Sequence, residues 1–388
     1  LLALGAALAI VAAAYATPER AAAPAARSGS DAALVKCGNS RTIGFMAPVT
    51  GPAASIGIQQ VHWAQYYVAT YNKTHKTKFK LQTEDTMLGA PTGTAEALKG
   101  AQALAGTPNV LAVVGPAGSN EIVGVTKSLK DGGLAWISGS STRTSLTTDG
   151  TRTGYMFRTV PPDAIQGPTV ANFILKKLKY TRVYIVDDQE TYSTGLADTV
   201  QGVLKSAGAT VGRDGVSQQQ SDFSSLIAKI PRDTQIVYLP WQLPPKGQAF
   251  GNQMKAAGKG SIALMGSDGL FDSSFASVGS HVYDSNFPLN PKSKIIAGFR
   301  KGHGGDGEYF GSPTYAATQV AATAINRACK KGSTTRAAVR AAIKSTNIPA
   351  AQSLVGVTLR FNGNGDLSTL HKFGLYKSNG NVFLPIAG

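Results

Sequence analysis

Cysteine is nearly absent from this chain: 388 residues carry 2. That excludes a zinc ribbon, an iron–sulfur ferredoxin and a small disulfide-framework fold. Histidine is also scarce, with 5 residues, at positions 62, 75, 281, 303 and 371. None forms an H-E-x-x-H pair, and no G-x-S-x-G nucleophile elbow occurs, so neither a zincin nor an α/β-hydrolase is indicated. No segment after the first 16 residues reaches 18 consecutive apolar residues, so the body has no bilayer span. Acidic residues are few against basic ones, 22 Asp+Glu to 38 Lys+Arg, a formal charge of +16. The basic residues are scattered. The densest run, KTHKTKFK at 73–80, lacks interleaved aromatics, and no helix-turn-helix or zinc-finger spacing accompanies it. Nucleic acid is not an expected partner; a solvated basic face is.

What is present is a long, ordinary globular composition, 43% apolar, with enough chain for two or three domains. Residues 1–16, LLALGAALAIVAAAYA, are uncharged and end in Ala14-Tyr15-Ala16, the small-x-small form of a signal-peptidase site. An export signal is expected there, an uncleaved anchor being the alternative, followed by a flexible Ala/Pro/Ser-rich segment over 17–40. Lys36 before Cys37 argues against lipidation of that cysteine. Outside the cytosol thiols tend to pair, and Cys37 and Cys329 are each other's only candidates; two free thiols are the alternative.

From residue 41 onward short apolar runs alternate with helical periods. The runs 42–47, 79–84, 111–114, 134–137, 182–186, 235–239 and 261–265 are read as buried parallel strands. Between them lie amphipathic stretches such as Leu196, Val200, Val203 and Leu204, or Phe223, Leu226, Ile227 and Ile230. The alternation restarts after Pro161-Pro162, which predicts an α/β protein of two similar lobes. Two more helices are expected at 313–330 and 333–345, then short strands over 354–384.

Parallel sheets bind ligands beyond the carboxyl ends of their strands, where helix N-termini point. Two Gly/Ser/Thr-rich loops fall there: GPAGSN at 115–120 and SGSSTRTSLT at 138–147. Backbone N–H groups with a hydroxyl suit one carboxylate-sized anion. Neither loop has the Walker lysine, which disfavours nucleotide phosphates. GHGGDG at 302–307 fits a dinucleotide motif by letter but follows no strand, and reads as a flexible loop. Asn362, Asn364 and Asp366 mimic a calcium loop whose twelfth position would be Phe373, not Glu, so no metal is expected.

At these residues the chain resembles the leucine/isoleucine/valine-type periplasmic binding proteins, the type I solute receptors of ABC transporters. The segments IGFMAPVTGPAASIG (43–57), VVGPAGSN (113–120), YMFRTVPPDAIQGPTVANFI (155–174), TYSTGLADTVQGVLKSAG (191–208), SDFSSLIAKI (221–230), LMGSDG (264–269), TYAATQVAATAI (314–325) and VTLRFNGNGDL (357–367) each have a counterpart in the same order. The resemblance implies two Rossmann-like lobes with parallel sheets joined by a three-strand hinge. It places lobe 1 at 41–162 plus 291–365 and lobe 2 at 163–290 plus 366–388. It implies a non-enzymatic, cofactor-free, monomeric extracytoplasmic protein that closes over an amino acid, amide or aromatic acid and delivers it to ABC permease subunits. A sensing module reporting to a signalling partner is the alternative output of the same pocket, and an exported hydrolase on this scaffold a third.

The resemblance assigns Ser119, Ser140 and Thr142 to the ligand carboxylate and Asp268 to its ammonium. Tyr192 packs over the ligand, and Ile56 is a wall of the side-chain pocket. The chain departs from the family where a tyrosine should follow the strand VYxxG. It reads VYLPWQLPP, 237–245, which puts Trp241 and Gln242 near the pocket. Asp268 is also one methylene shorter than the usual glutamate. The leucine-type side-chain preference is therefore not implied.

Overall fold

The computed structural model describes residues 33–288, 293–303, 308–369 and 372–386. The apolar segment 1–16, with its cleavage motif, lies outside the described residues. Fourteen strands are described: β1 Val35–Lys36, β2 Ser40–Ala47, β3 Lys78–Asp85, β4 Val110–Val114, β5 Trp136–Ser138, β6 Met156–Arg158, β7 Arg182–Asp187, β8 Thr210–Gly215, β9 Ile236–Tyr238, β10 Ala263–Met265, β11 Val282–Asn286, β12 Ser333–Thr334, β13 Gly374–Ser378 and β14 Phe383–Pro385. They form a five-stranded sheet of order β3-β2-β4-β5-β6 and a seven-stranded sheet of order β14-β13-β11-β10-β9-β7-β8. The first sheet is parallel throughout. The second is parallel except for β13 and β14, which add antiparallel at one edge.

Period-two alternation along buried strands explains how each sheet carries helices on both faces. On β2, Ile43, Phe45 and Ala47 enter one apolar cluster while Met46 enters another. The first cluster is covered by the helices Ala54–Thr74 and Glu308–Ala328, and Trp63 stacks on Phe299 at 3.9 Å within it. The second is covered by Gly93–Gly106 and Ser119–Asp131, through Ala97, Leu104, Ile122 and Val125. Each fully buried large apolar side chain contributes on the order of 1.5–3 kcal/mol. The seven-stranded sheet repeats the plan with the helices Thr191–Ser206 and Pro244–Ala256 on opposite faces. The chain passes between the sheets three times: after β6, after β11 and before β13.

In the two large sheets, three strands had no apolar run to announce them. β8 is a half-exposed edge strand with Arg213 and Asp214 in it, β11 buries the polar residues Asp284, Ser285 and Asn286, and β6 is only three residues long. The helix expected from 313 begins at Glu308, so Pro313 lies inside it. Cys37 and Cys329 are joined by a disulfide, with Cα atoms 5.7 Å apart. Beside it β1 pairs antiparallel with β12, and the Cys37 N–H donates to Gly332 O at 2.8 Å. The amino-terminal segment is thereby tied to the end of the helix Glu308–Ala328. Among the described residues no helix is long and apolar enough to cross a membrane, and no cluster of His, Cys, Asp and Glu could hold a metal.

Candidate functional site

Two loops at the carboxyl ends of β4 and β5 build one wall of a cleft. After β4 the chain turns at Gly115, whose φ is +96°; a Cβ there would lie 2.0 Å from Met46 O, so only glycine fits. The helix Ser119–Asp131 starts four residues later. Its first residue, Ser119, is 1% exposed. Ser119 Oγ accepts the Arg143 N–H at 3.4 Å, which leaves its own proton to donate. Glu121 Oε2 takes the Gly118 N–H at 2.6 Å and closes the turn. Burial pushes the Glu121 carboxyl up to about 7, against the Thr86 hydroxyl and the Gly118 and Ala117 amides.

The loop after β5 is stitched to the first by hydroxyls. Ser138 Oγ donates to Pro116 O at 2.9 Å, and Ser140 Oγ and Ser141 Oγ each donate to Ala117 O at 2.8 Å. Gln60 Nε2 donates to Ser140 Oγ at 2.9 Å. Arg158 sets the loop's far side. Its fully buried guanidinium pairs with Asp366 at 2.5 Å and donates to the carbonyls of Ser141 (3.3 Å) and Arg143 (2.9 Å). The result is a rigid wall of oriented dipoles at a helix N-terminus, which favours an anion.

The opposite wall is acidic. Asp268 follows β10 and is 3% exposed. Its Oδ1 accepts from Tyr192 Oη at 2.7 Å and from Gln166 Nε2 at 2.8 Å. Among the described residues no side chain donates to Oδ2. Burial pushes the Asp268 carboxyl up to about 6, with the Tyr192 and Gln166 bonds pulling the other way. Tyr192 is itself raised well above its ordinary value by burial and by the negative Asp268. Two further carboxyls stand behind. Asp163 is pushed up to about 7 by burial and by Asp268, while Thr142, Arg158 and Arg143 pull it down. Asp284 is raised well above the carboxylate range by burial and by Asp268. A buried carboxylate with no cation is costly, so this wall favours a positively charged group.

The two walls enclose a cavity of at most about 310 Å³. Ile56, Leu88, Ala117, Ser119, Ser140 and Ser141 line it from the first lobe, Tyr192, Gln242, Asp268 and Gly269 from the second, and Phe310 from the helix Glu308–Ala328. The cleft is shut by contacts outside the cavity. Arg143 Nη1 donates to Thr191 O and, at 3.2 Å, to Thr194 Oγ1. Gln219 Nε2 donates to Gly89 O at 3.1 Å. Leu243 joins Ile56, Leu88 and Ala117 in an apolar cluster that spans the lobes.

Of the residues singled out in the sequence, Ile56, Ser119, Ser140, Tyr192 and Asp268 meet at this cavity. Ser140 faces it with its hydroxyl already engaged, so the loop rather than its proton is what it offers. Thr142 is fully buried one residue beyond the lining, with its side chain against Asp163. Trp241 is a correction. Its indole N–H donates to Val186 O at 2.7 Å and its ring packs with Phe223 and Phe250. It belongs to the core of the second lobe, and the neighbouring Gln242 turns to the cavity instead. Sequence reasoning missed Leu88, Phe310 and Asp163. Phe310 sits in EYFGSP, which follows a glycine-rich stretch and lacks apolar periodicity at its start. Gln166 and Asp163 lay in the DAIQG motif that carried the resemblance, but as motif letters without a role.

The periplasmic binding protein family model matches residues 40–373. The Leu/Ile/Val-binding protein BraC3 of Rhizobium johnstonii is 30% identical over 348 residues, 87% of this chain and 91% of that protein. The leucine-binding protein LivK of Thermotoga maritima superposes with a TM-score of 0.78 at 19% identity, covering 89% of this chain and 98% of that one. An R. palustris solute-binding protein in complex with benzoate superposes with a TM-score of 0.75 at 14% identity, covering 90% and 96%. A two-lobed α/β fold, a cleft with an anion-favouring wall facing an acidic one, and a family match across most of the chain converge: the chain belongs to the periplasmic binding protein family, in the type that includes the Leu/Ile/Val-binding proteins.

Proposed function

We propose that this protein is the extracytoplasmic solute-binding component of an ABC importer, and that it captures a free amino acid or close analogue by closing its lobes. The observation that carries the reading is the pairing across the cleft. Ser119 and the amides of its helix stand on one side, and Asp268 with Tyr192 and Gln166 on the other. An α-amino acid presents one anion and one cation at a fixed short separation, which is what those walls complement. Charge-assisted hydrogen bonds contribute roughly 1.5–3 kcal/mol each. A few of them reach micromolar affinity, about −8 kcal/mol. The protein binds and releases and does not transform, and delivery to membrane permease subunits follows from that role. A thermal-shift and calorimetry series over the twenty amino acids, simple amides, urea and benzoate tests it. At least one α-amino acid is expected to raise the melting temperature and to bind with micromolar affinity or better. Tight binding of an aromatic acid lacking an amino group, with none by any amino acid, would contradict it.

A further inference from the structure

Among the described residues, Gln242 is the one cavity-lining polar side chain that neither the anion wall nor the ammonium site uses. It is 4% exposed, lies in the loop after β9, and its Nε2 has no hydrogen-bond partner. Its place is fixed. Gly269, beside Asp268, approaches so closely that a Cβ there would lie 2.6 Å from Gln242 Cα. The preceding residue, Trp241, is anchored in the core by its indole N–H, which donates to Val186 O. A buried amide N–H left without a partner costs free energy, so one held at the lining of a ligand cavity implies that the ligand satisfies it. The rest of the side-chain end is apolar: Ile56, Leu88 and Phe310. Among the described residues lining the cavity there is no Lys, Arg or His and no carboxylate besides Asp268.

From this arrangement we infer that Gln242 is a specificity-determining residue, and that the ligand is an amino acid whose side chain is short, uncharged and ends in a hydroxyl or carboxamide. The inference rests on the amino-acid reading above and sharpens it. The unpaired Nε2 is a donor, and a ligand hydroxyl or carboxamide oxygen accepts from it without adding charge. An apolar isostere would leave the Gln242 N–H buried and unpaired, and sites built to hydrogen-bond a ligand reject analogues lacking the group more strongly than apolar pockets reject extra methylenes.

The test is calorimetry on the intact protein with the matched pairs threonine against valine and asparagine against leucine. The polar member of at least one pair is expected to bind at least tenfold more tightly. In Gln242→Leu and Gln242→Met, checked for an unchanged fold by circular dichroism, that preference is expected to collapse while apolar amino acids bind as well as before or better. Equal or tighter binding of leucine and valine by the parent protein overturns the inference and leaves the amino-acid reading standing. Loss of affinity for all amino acids alike in both variants also overturns it, because Gln242 would then hold the head group. Absence of binding by every amino acid overturns both.

Discussion

Asp268 is where the chemistry of the site concentrates at the scale of single residues. Burial holds its carboxyl at about 6 when no cation is beside it. The form that binds an ammonium is the ionised one. Affinity for an amino acid is therefore expected to level off toward about pH 8. It should weaken as pH falls through 6, by up to about tenfold per unit. The neighbours act in the same direction, since Asp163 also takes up its proton near 7 and its negative field is lost. Calorimetry across pH 5–8 reads this directly, and pH-independent affinity would remove Asp268 as the countercharge. Asp268→Ala is expected to weaken binding at least tenfold. Ser119→Ala should weaken it several-fold with little change in melting temperature, because the Ser119 side chain accepts only one long bond from Arg143 N.

At the scale of elements, the wall that meets the anion depends on a residue that never touches the cavity. Arg158 is fully buried on β6 and ties the Ser138–Thr144 loop to Asp366 in the chain's last passage between lobes. Removing one partner of a buried ion pair costs about 3–5 kcal/mol. Arg158→Met is expected to lower stability by about that amount in urea unfolding and to weaken ligand binding through the displaced loop. An unchanged unfolding midpoint would contradict this role.

Much of this was legible in the sequence. The strands buried on both faces, β2, β4 and β7, announce themselves because burial on two sides demands continuous apolar runs. β8 and β11 do not. One is a polar edge, and the other buries Asp284 to Asn286. The site divides the same way. Ser119 and Asp268 each stand in a loop at the carboxyl end of a strand, one in each sheet, which is the end where parallel sheets present their ligand loops. Which of two adjacent residues, Trp241 or Gln242, lines the cavity depends on a local turn and on the aromatic packing of Phe223 and Phe250, and no period in the sequence encodes that.

For the whole molecule, function is the coupling of closure to occupancy. On the proposed function, covering Asp268 is unfavourable until a cation enters, and the ligand is what is expected to bridge the acidic wall and the dipolar one. Closure has its own supports. Arg143 latches the first lobe to Thr191 and Thr194 of the second. Arg143→Ala is expected to weaken binding about three- to tenfold for every ligand alike, since it shifts the open–closed balance without touching the cavity. A changed ranking of ligands would show that it acts on the pocket instead. The disulfide works on a different quantity. It closes a loop spanning 292 residues, and replacing both cysteines by serine is expected to cost on the order of 4 kcal/mol of stability. Neither cysteine lines the cavity, so affinity should be unchanged.

The central claim is that one small zwitterion spans the two lobes. A crystal structure of the protein with the amino acid that most raises its melting temperature tests it most directly. The ligand carboxylate is expected about 3 Å from Ser119 Oγ and the ammonium about 3 Å from Asp268 Oδ2, with both lobes closed on it. A ligand held by one lobe alone, or with its ammonium turned away from Asp268, would contradict it.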